Sequence, residues 1–185
     1  MIKLVRTLGI VSAIIPYLFI LTSIVLSPWF NFYDNALSDL GNIARNSYVA
    51  YIFNWGLVIT GLFAASFALF LSYVKYSWKF LIWTPLLLVA SADLFLIGVF
   101  SEDVGRMHGI VSIIFFLMTI VTMFVYSFLS WPLGSPKVGA LALIFGFVST
   151  VVWFGDWPWS GLAIQELATV MMASVWLILV SFKNV

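Results

Sequence analysis

The stretch Phe80-Leu81-Ile82-Trp83-Thr84-Pro85-Leu86-Leu87-Leu88-Val89-Ala90-Ser91-Ala92-Asp93-Leu94-Phe95-Leu96-Ile97-Gly98-Val99-Phe100 carries a single ionisable side chain, Asp93. A helical run of roughly 20 apolar residues matches the ~30 Å hydrocarbon thickness of a bilayer. In lipid the backbone must satisfy its own hydrogen bonds, which a helix does and an isolated strand does not. Five more runs of this kind flank it, at about Leu8–Leu26, Tyr48–Tyr73, Gly109–Ser130, Val138–Phe154 and Leu162–Phe182. The predicted fold is therefore all-α, a polytopic membrane bundle of six transmembrane helices forming one integral membrane domain over residues 1–185.

The breaks between runs carry turn chemistry, such as Ser27-Pro28-Trp29, Trp131-Pro132-Leu133-Gly134 and Gly155-Asp156-Trp157-Pro158. Proline and glycine punctuate turns, and tryptophan and tyrosine suit the headgroup region. The first run follows Lys3 and Arg6 and reaches Leu26, longer than the apolar core of a signal peptide, and reads as a retained span.

Composition agrees. The chain is 64% hydrophobic and 8% charged, against about 25% charged residues in a soluble domain. It has no cysteine, which excludes disulfides, iron–sulfur clusters and thiolate nucleophiles. Its one histidine, His108, excludes a bis-histidine haem or a three-histidine zinc site. No basic patch points to nucleic acid.

Basic residues predict orientation, since lysine and arginine collect on the cytoplasmic side. Lys3, Arg6, Lys75, Lys79, Lys137 and Lys183 share one side of a six-span layout, and Arg45 and Arg106 fall on the other. Both termini are thus expected in the cytoplasm, in a plasma-membrane protein. Asp34, Asp39, Glu102, Asp103 and Asp156 then lie in outer loops, with Asp93 and Glu166 inside spans toward the outer end. The outer loops also share an aromatic shortly before an acid, at Tyr33-Asp34, Phe100-Ser101-Glu102 and Phe154-Gly155-Asp156. Three hairpins stacked about one axis, or the abundance of phenylalanine, accounts for that pattern.

A charge near the bilayer centre costs at least about 2.5 kcal/mol, so Asp93 and Glu166 need partners and interior positions. Arg45, Arg106, His108 and Asn54 are the candidates by depth. Function as a proton, ion or substrate site competes here with a packing role. His108 opens the fourth span with Ser112 one turn later on its face, and Glu102 and Asp103 precede it. It reads either as a base or metal ligand or as an interfacial histidine bonded to a loop carbonyl. Asp34-Asn35-Ala36-Leu37-Ser38-Asp39-Leu40-Gly41-Asn42 reads as a short helix over the bundle mouth, capped by Asp34 or Asn35 and ended by Gly41, or as a simple turn. Trp153, Trp157 and Trp159 form either an interfacial belt or a lid over a lipid groove.

The run Ala36-Leu37-Ser38-Asp39-Leu40-Gly41, and the stretch from Asp93 through Gly98, Phe100, Glu102 and Asp103 to His108 and Ser112, resemble two motifs of the small prokaryotic membrane proteins catalogued as domain of unknown function 998. The resemblance covers most of the chain. It implies a six-span membrane fold with an outer site, and brings no activity with it. More distantly the layout is similar to alkaline-ceramidase-like membrane hydrolases. Those hold zinc with three histidines, where this chain has only His108.

Three functions follow. The first binds or modifies a lipid or other amphiphile at the outer end. Asp93, His108, Glu166, Ser38 and Asp39 would carry catalysis, and Arg106, Arg45, Asn54 and Ser112 would hold the ligand. An enzyme of this kind would be a membrane-embedded lipid hydrolase or transferase. The second is a proton- or cation-coupled transporter or channel that uses the intramembrane acids. The third is a structural accessory subunit. No cofactor is evident, although Asp93, His108, Glu102 and Asp103 could together hold a divalent cation. Membrane lipids are the expected partners.

Overall fold

The computed structural model describes residues 1–183. Six helices follow one another: α1 (Ile2–Val25), α2 (Ile43–Val74), α3 (Trp78–Val99), α4 (Arg106–Ser130), α5 (Pro136–Phe154) and α6 (Ala163–Lys183). All six are long and apolar enough to cross a membrane. Short 3₁₀ helices, Leu37–Gly41 and Glu102–Val104, interrupt the α1–α2 and α3–α4 connections.

Several helices overrun the apolar runs because polar residues at the bundle ends still find helical hydrogen bonds. In α2 the excess is a separate turn. Ser47 has φ 47° and ψ −124°, outside helical space, and divides Ile43–Asn46 from the remainder of the helix. A serine held at positive φ is strained. The span proper therefore begins at Tyr48, where the hydropathy rises.

Each helix packs against its successor, and α1 packs against α6 to close a ring. The α1–α2, α3–α4 and α5–α6 connections meet at one end, called here the mouth. Lys3, Arg6, Lys75, Lys79, Lys137 and Lys183 lie toward the other end.

Lipid tails are as apolar as leucine, so helix pairing here rests on close packing rather than on the hydrophobic effect. Gly61 and Gly98 provide it between α2 and α3. A Cβ on Gly61 would lie 2.7 Å from the Phe95 nitrogen and 2.8 Å from the Ser91 oxygen, and one on Gly98 would meet the Asn54 carbonyl. Away from the mouth the core is aromatic. Trp83, Tyr126 and Trp176 are fully buried and meet edge-to-face at centroid distances of 5.2, 5.3 and 5.9 Å, the geometry ring quadrupoles favour.

Gly61→Val should therefore force α2 away from α3. Thermal unfolding of the purified variant is expected to show a loss on the order of 1–3 kcal/mol, the usual cost of overpacking. An unchanged midpoint would mean that the close approach is not needed.

Candidate functional site

A narrow cavity, with about 110 Å³ open to the centres of water-sized molecules, occupies the middle of the ring. α1, α2, α3, α4 and α6 wall it, and α5 lies outside. Leu37 and Ser38 of the first 3₁₀ helix roof it on the mouth side, and Trp176 of the aromatic cluster lies at its deep end. From Glu166 to Leu177 along α6 it extends about 16 Å at 1.5 Å per residue. Among the described residues, Glu166 is the one ionisable side chain on the wall.

The roof follows from the sequence. The chain between α1 and α2 must cross the mouth, and its backbone amides need acceptors where water is scarce. Glu166, 7% exposed, provides one. Its carboxyl group accepts from the Leu37 N–H at 2.5 Å, and the Ser38 N–H also bonds to it. Asp39 Oδ2 accepts from the Asn35 amide at 2.8 Å and the Ala36 N–H at 3.3 Å. It also faces the Arg45 guanidinium at 3.4 Å. Arg45 in turn lies 3.8 Å over the Trp29 ring. The expected short helix over the mouth is thus present as a 3₁₀ helix. Its caps are Asp39 and Glu166, whereas Asp34 and Asn35 bond to Asn31.

Asparagines fasten this roof to the bundle. Asn46 donates to Ser27 Oγ and to the Leu40 carbonyl, both at 2.9 Å. It accepts from Ser27 Oγ at 3.0 Å and the Trp29 indole at 3.3 Å. Asn54 donates to the Gly41 carbonyl at 2.9 Å. Asn42 Oδ1 caps α2 through the Arg45 N–H at 2.9 Å, and its amide bonds to Glu102. Asp103 completes the cap by accepting from the Ile43 N–H at 2.9 Å. The α5–α6 loop joins from the other side. Gly161 N–H donates to the Tyr33 carbonyl at 2.8 Å, and Ala163 N–H to the Asn35 carbonyl at 2.9 Å. A Cβ on Gly161 would run into the Asn35 backbone.

The residues singled out from sequence fall into two groups. Glu166, Ser38 and Ser112 line the cavity. Asp39, Arg45, Asn54, Glu102 and Asp103 hold the roof and its attachments. Asp93 is buried but is not on the cavity wall, and its Oδ2 has no hydrogen-bond partner among the described residues. His108 is also buried off the wall, with Nδ1 2.7 Å from the Phe100 carbonyl. A carbonyl only accepts, so Nδ1 carries the proton, and the loop-carbonyl reading describes this contact. Arg106 is exposed in the first turn of α4, away from the cavity. Among the described residues no three of histidine, aspartate and glutamate gather closely enough to hold a metal. Of the four residues the sequence suggested for a cation, Glu102 and Asp103 bond to the start of α2.

Trp153 turns inward, donating to Thr169 Oγ1 at 3.0 Å and packing on Phe116 at 4.6 Å. Trp157 and Trp159 stack at 5.0 Å beside the mouth. Sequence reading passed over Asn46, and it gave Asn42 no role. The signal was there, since all but one of the chain's asparagines fall between residues 31 and 54.

Six apolar helices around a roofed interior cavity define a multi-pass helical membrane protein. The chain belongs to the family described as protein of unknown function DUF998, whose model matches residues 10–183. No curated protein and no solved structure matches it.

Two measurements test the roof. Asn46→Ala leaves the buried Leu40 carbonyl and Ser27 hydroxyl without partners, so thermal unfolding should show a loss of about 1–3 kcal/mol; a change within a few tenths would remove Asn46 as an anchor. The second uses pH. The Ile43 amide holds the Asp103 carboxyl below its ordinary value of 3.8, with the Ser101 hydroxyl adding to the effect. A lowered folded-state pKa stabilises fully above the unfolded value and is lost as pH falls through the folded one. The stability gap between wild type and Asp103→Ala should be constant near neutrality and close below about pH 4. A gap independent of pH would refute the cap.

Proposed function

We propose that this protein binds the apolar chain of a lipid or other amphiphile in its central cavity, with the polar end against Glu166 and Ser38 beneath the roof. The observation that carries this reading is the cavity wall. It is built from side chains such as Ile20, Phe53, Leu57, Leu87, Leu94 and Phe115. Small-molecule sites are concave and mostly apolar with a few placed polar groups.

Five of the hydroxyls on the wall fit the same reading. Ser12, Thr60, Ser91 and Thr122 bond to backbone carbonyls of their own helices, and Ser174 accepts from Tyr17. Hydroxyls engaged in this way add little polarity to the wall. The length supports it too, since about 16 Å is roughly one leaflet of a ~30 Å hydrocarbon core.

The positive-inside bias supports a mouth on the extracytoplasmic face of the plasma membrane, because six of the eight basic residues lie toward the opposite end. Binding is favoured over turnover because His108 and Asp93 stand off the cavity wall. A continuous ion path is disfavoured by the aromatic cluster of Trp83, Tyr126 and Trp176 at the deep end.

The test is thermal unfolding of the nanodisc-embedded protein titrated with a long-chain alcohol. Saturation at 100 times the dissociation constant is expected to add about 2.7 kcal/mol. Ala90→Phe, which adds a ring to the cavity wall, should fold and show no ligand shift. A shift that persists in Ala90→Phe places binding elsewhere and ends this reading.

A further inference from the structure

We infer that the cavity selects amphiphiles whose head donates hydrogen bonds and bears no negative charge (an alcohol or an amine) and rejects those with an anionic head. This rests on the cavity reading above and adds the chemistry of the head.

The roof end of the cavity is where a head must sit, because the deep end is walled by Trp176 and Leu177 and the sides are apolar. Glu166 is there, 7% exposed and on the wall. Among the described residues no lysine, arginine or histidine lines the cavity with it. The basic groups at the mouth end lie off the wall. Arg45 pairs with Asp39 and stacks on Trp29 above the roof. His108 bonds to Phe100, and Arg106 is exposed at the start of α4.

An anionic head would thus be buried beside a carboxyl group with no cation to offset it. In a medium of low dielectric that arrangement is strongly unfavourable. A hydroxyl or ammonium head, by contrast, donates to the carboxyl group. Asp39 lies off the wall, with its carboxylate taken by Asn35, Ala36 and Arg45, so Glu166 alone sets the chemistry of the head site. The Leu37 and Ser38 amides, which could have bound an anion, are already bonded to Glu166.

The experiment compares four probes of equal chain length in nanodiscs of zwitterionic lipid: an alkyl alcohol, an alkyl amine, an alkyl sulfate and an alkyl phosphate. Bound probe is counted by native mass spectrometry, with Ala90→Phe as the background for each. Wild type should bind the alcohol and the amine at least tenfold more tightly than the sulfate and the phosphate. Glu166→Gln, which keeps an oxygen acceptor for the Leu37 amide, should cut the preference for the amine over the sulfate at least tenfold. The wild-type panel carries the inference by itself if Glu166→Gln fails to fold. Equal binding of all four probes, each lost in Ala90→Phe, overturns the head selectivity and leaves the cavity reading intact. Preference for the sulfate or phosphate likewise overturns it. No binding above the Ala90→Phe background for any probe overturns both.

Discussion

A chain that crosses the mouth of an apolar bundle carries backbone amides that neither lipid nor a regular helix can satisfy. Here the answer is one carboxyl group. Glu166, in the first turn of α6, accepts from the Leu37 amide, 129 residues away in sequence. That bond sets the first 3₁₀ helix across the ring, and the ring's interior becomes a roofed cavity rather than an open funnel. A buried donor left unpaired costs about 1–3 kcal/mol, so the amide and the carboxyl group hold each other in place.

The remaining polar groups at the mouth extend this arrangement. Asn46 joins the end of α1, the roof and α2 through Ser27, Leu40 and Trp29. Glu102 and Asp103 join the α3–α4 loop to the start of α2, and backbone bonds from Gly161 and Ala163 bring in the third loop. The exposed Arg45–Asp39 pair adds little, as surface ion pairs generally do; the neutral and charge-assisted hydrogen bonds carry the weight. The outcome is a polar cap bonded to itself over a cavity with mostly apolar walls. Such a site offers an apolar volume and one acceptor, which is the pattern that suits an amphiphile.

The candidate site was only partly legible in one dimension. Glu166 and Ser38 stand out in the sequence and line the cavity. Asp93 and His108 stand out equally and do not. An intramembrane acid shows that a partner or an interior position is required; it does not show which interior surface it faces. His108 beside Glu102 and Asp103 suggested a cation site, yet those two carboxylates serve the start of α2. The asparagines drew less attention because each is unremarkable alone, and their value lies in the contacts they make together.

The sequence by itself determined the six helices, their order and the gathering of the acids at one end and of six of the eight basic residues at the other. Each of those is a property of local hydropathy and of charge counted along the chain. Only the tertiary structure decided where the cavity lies, that α5 stands outside it, and that Glu166 holds the roof. The spans are apolar around most of their circumference, because lipid and protein interior are equally apolar surroundings, so periodicity does not reveal the inward face. That face is chosen by close approaches such as Gly61 on Phe95 and by hydrogen bonds between residues far apart in the chain, which exist only once the ring has closed.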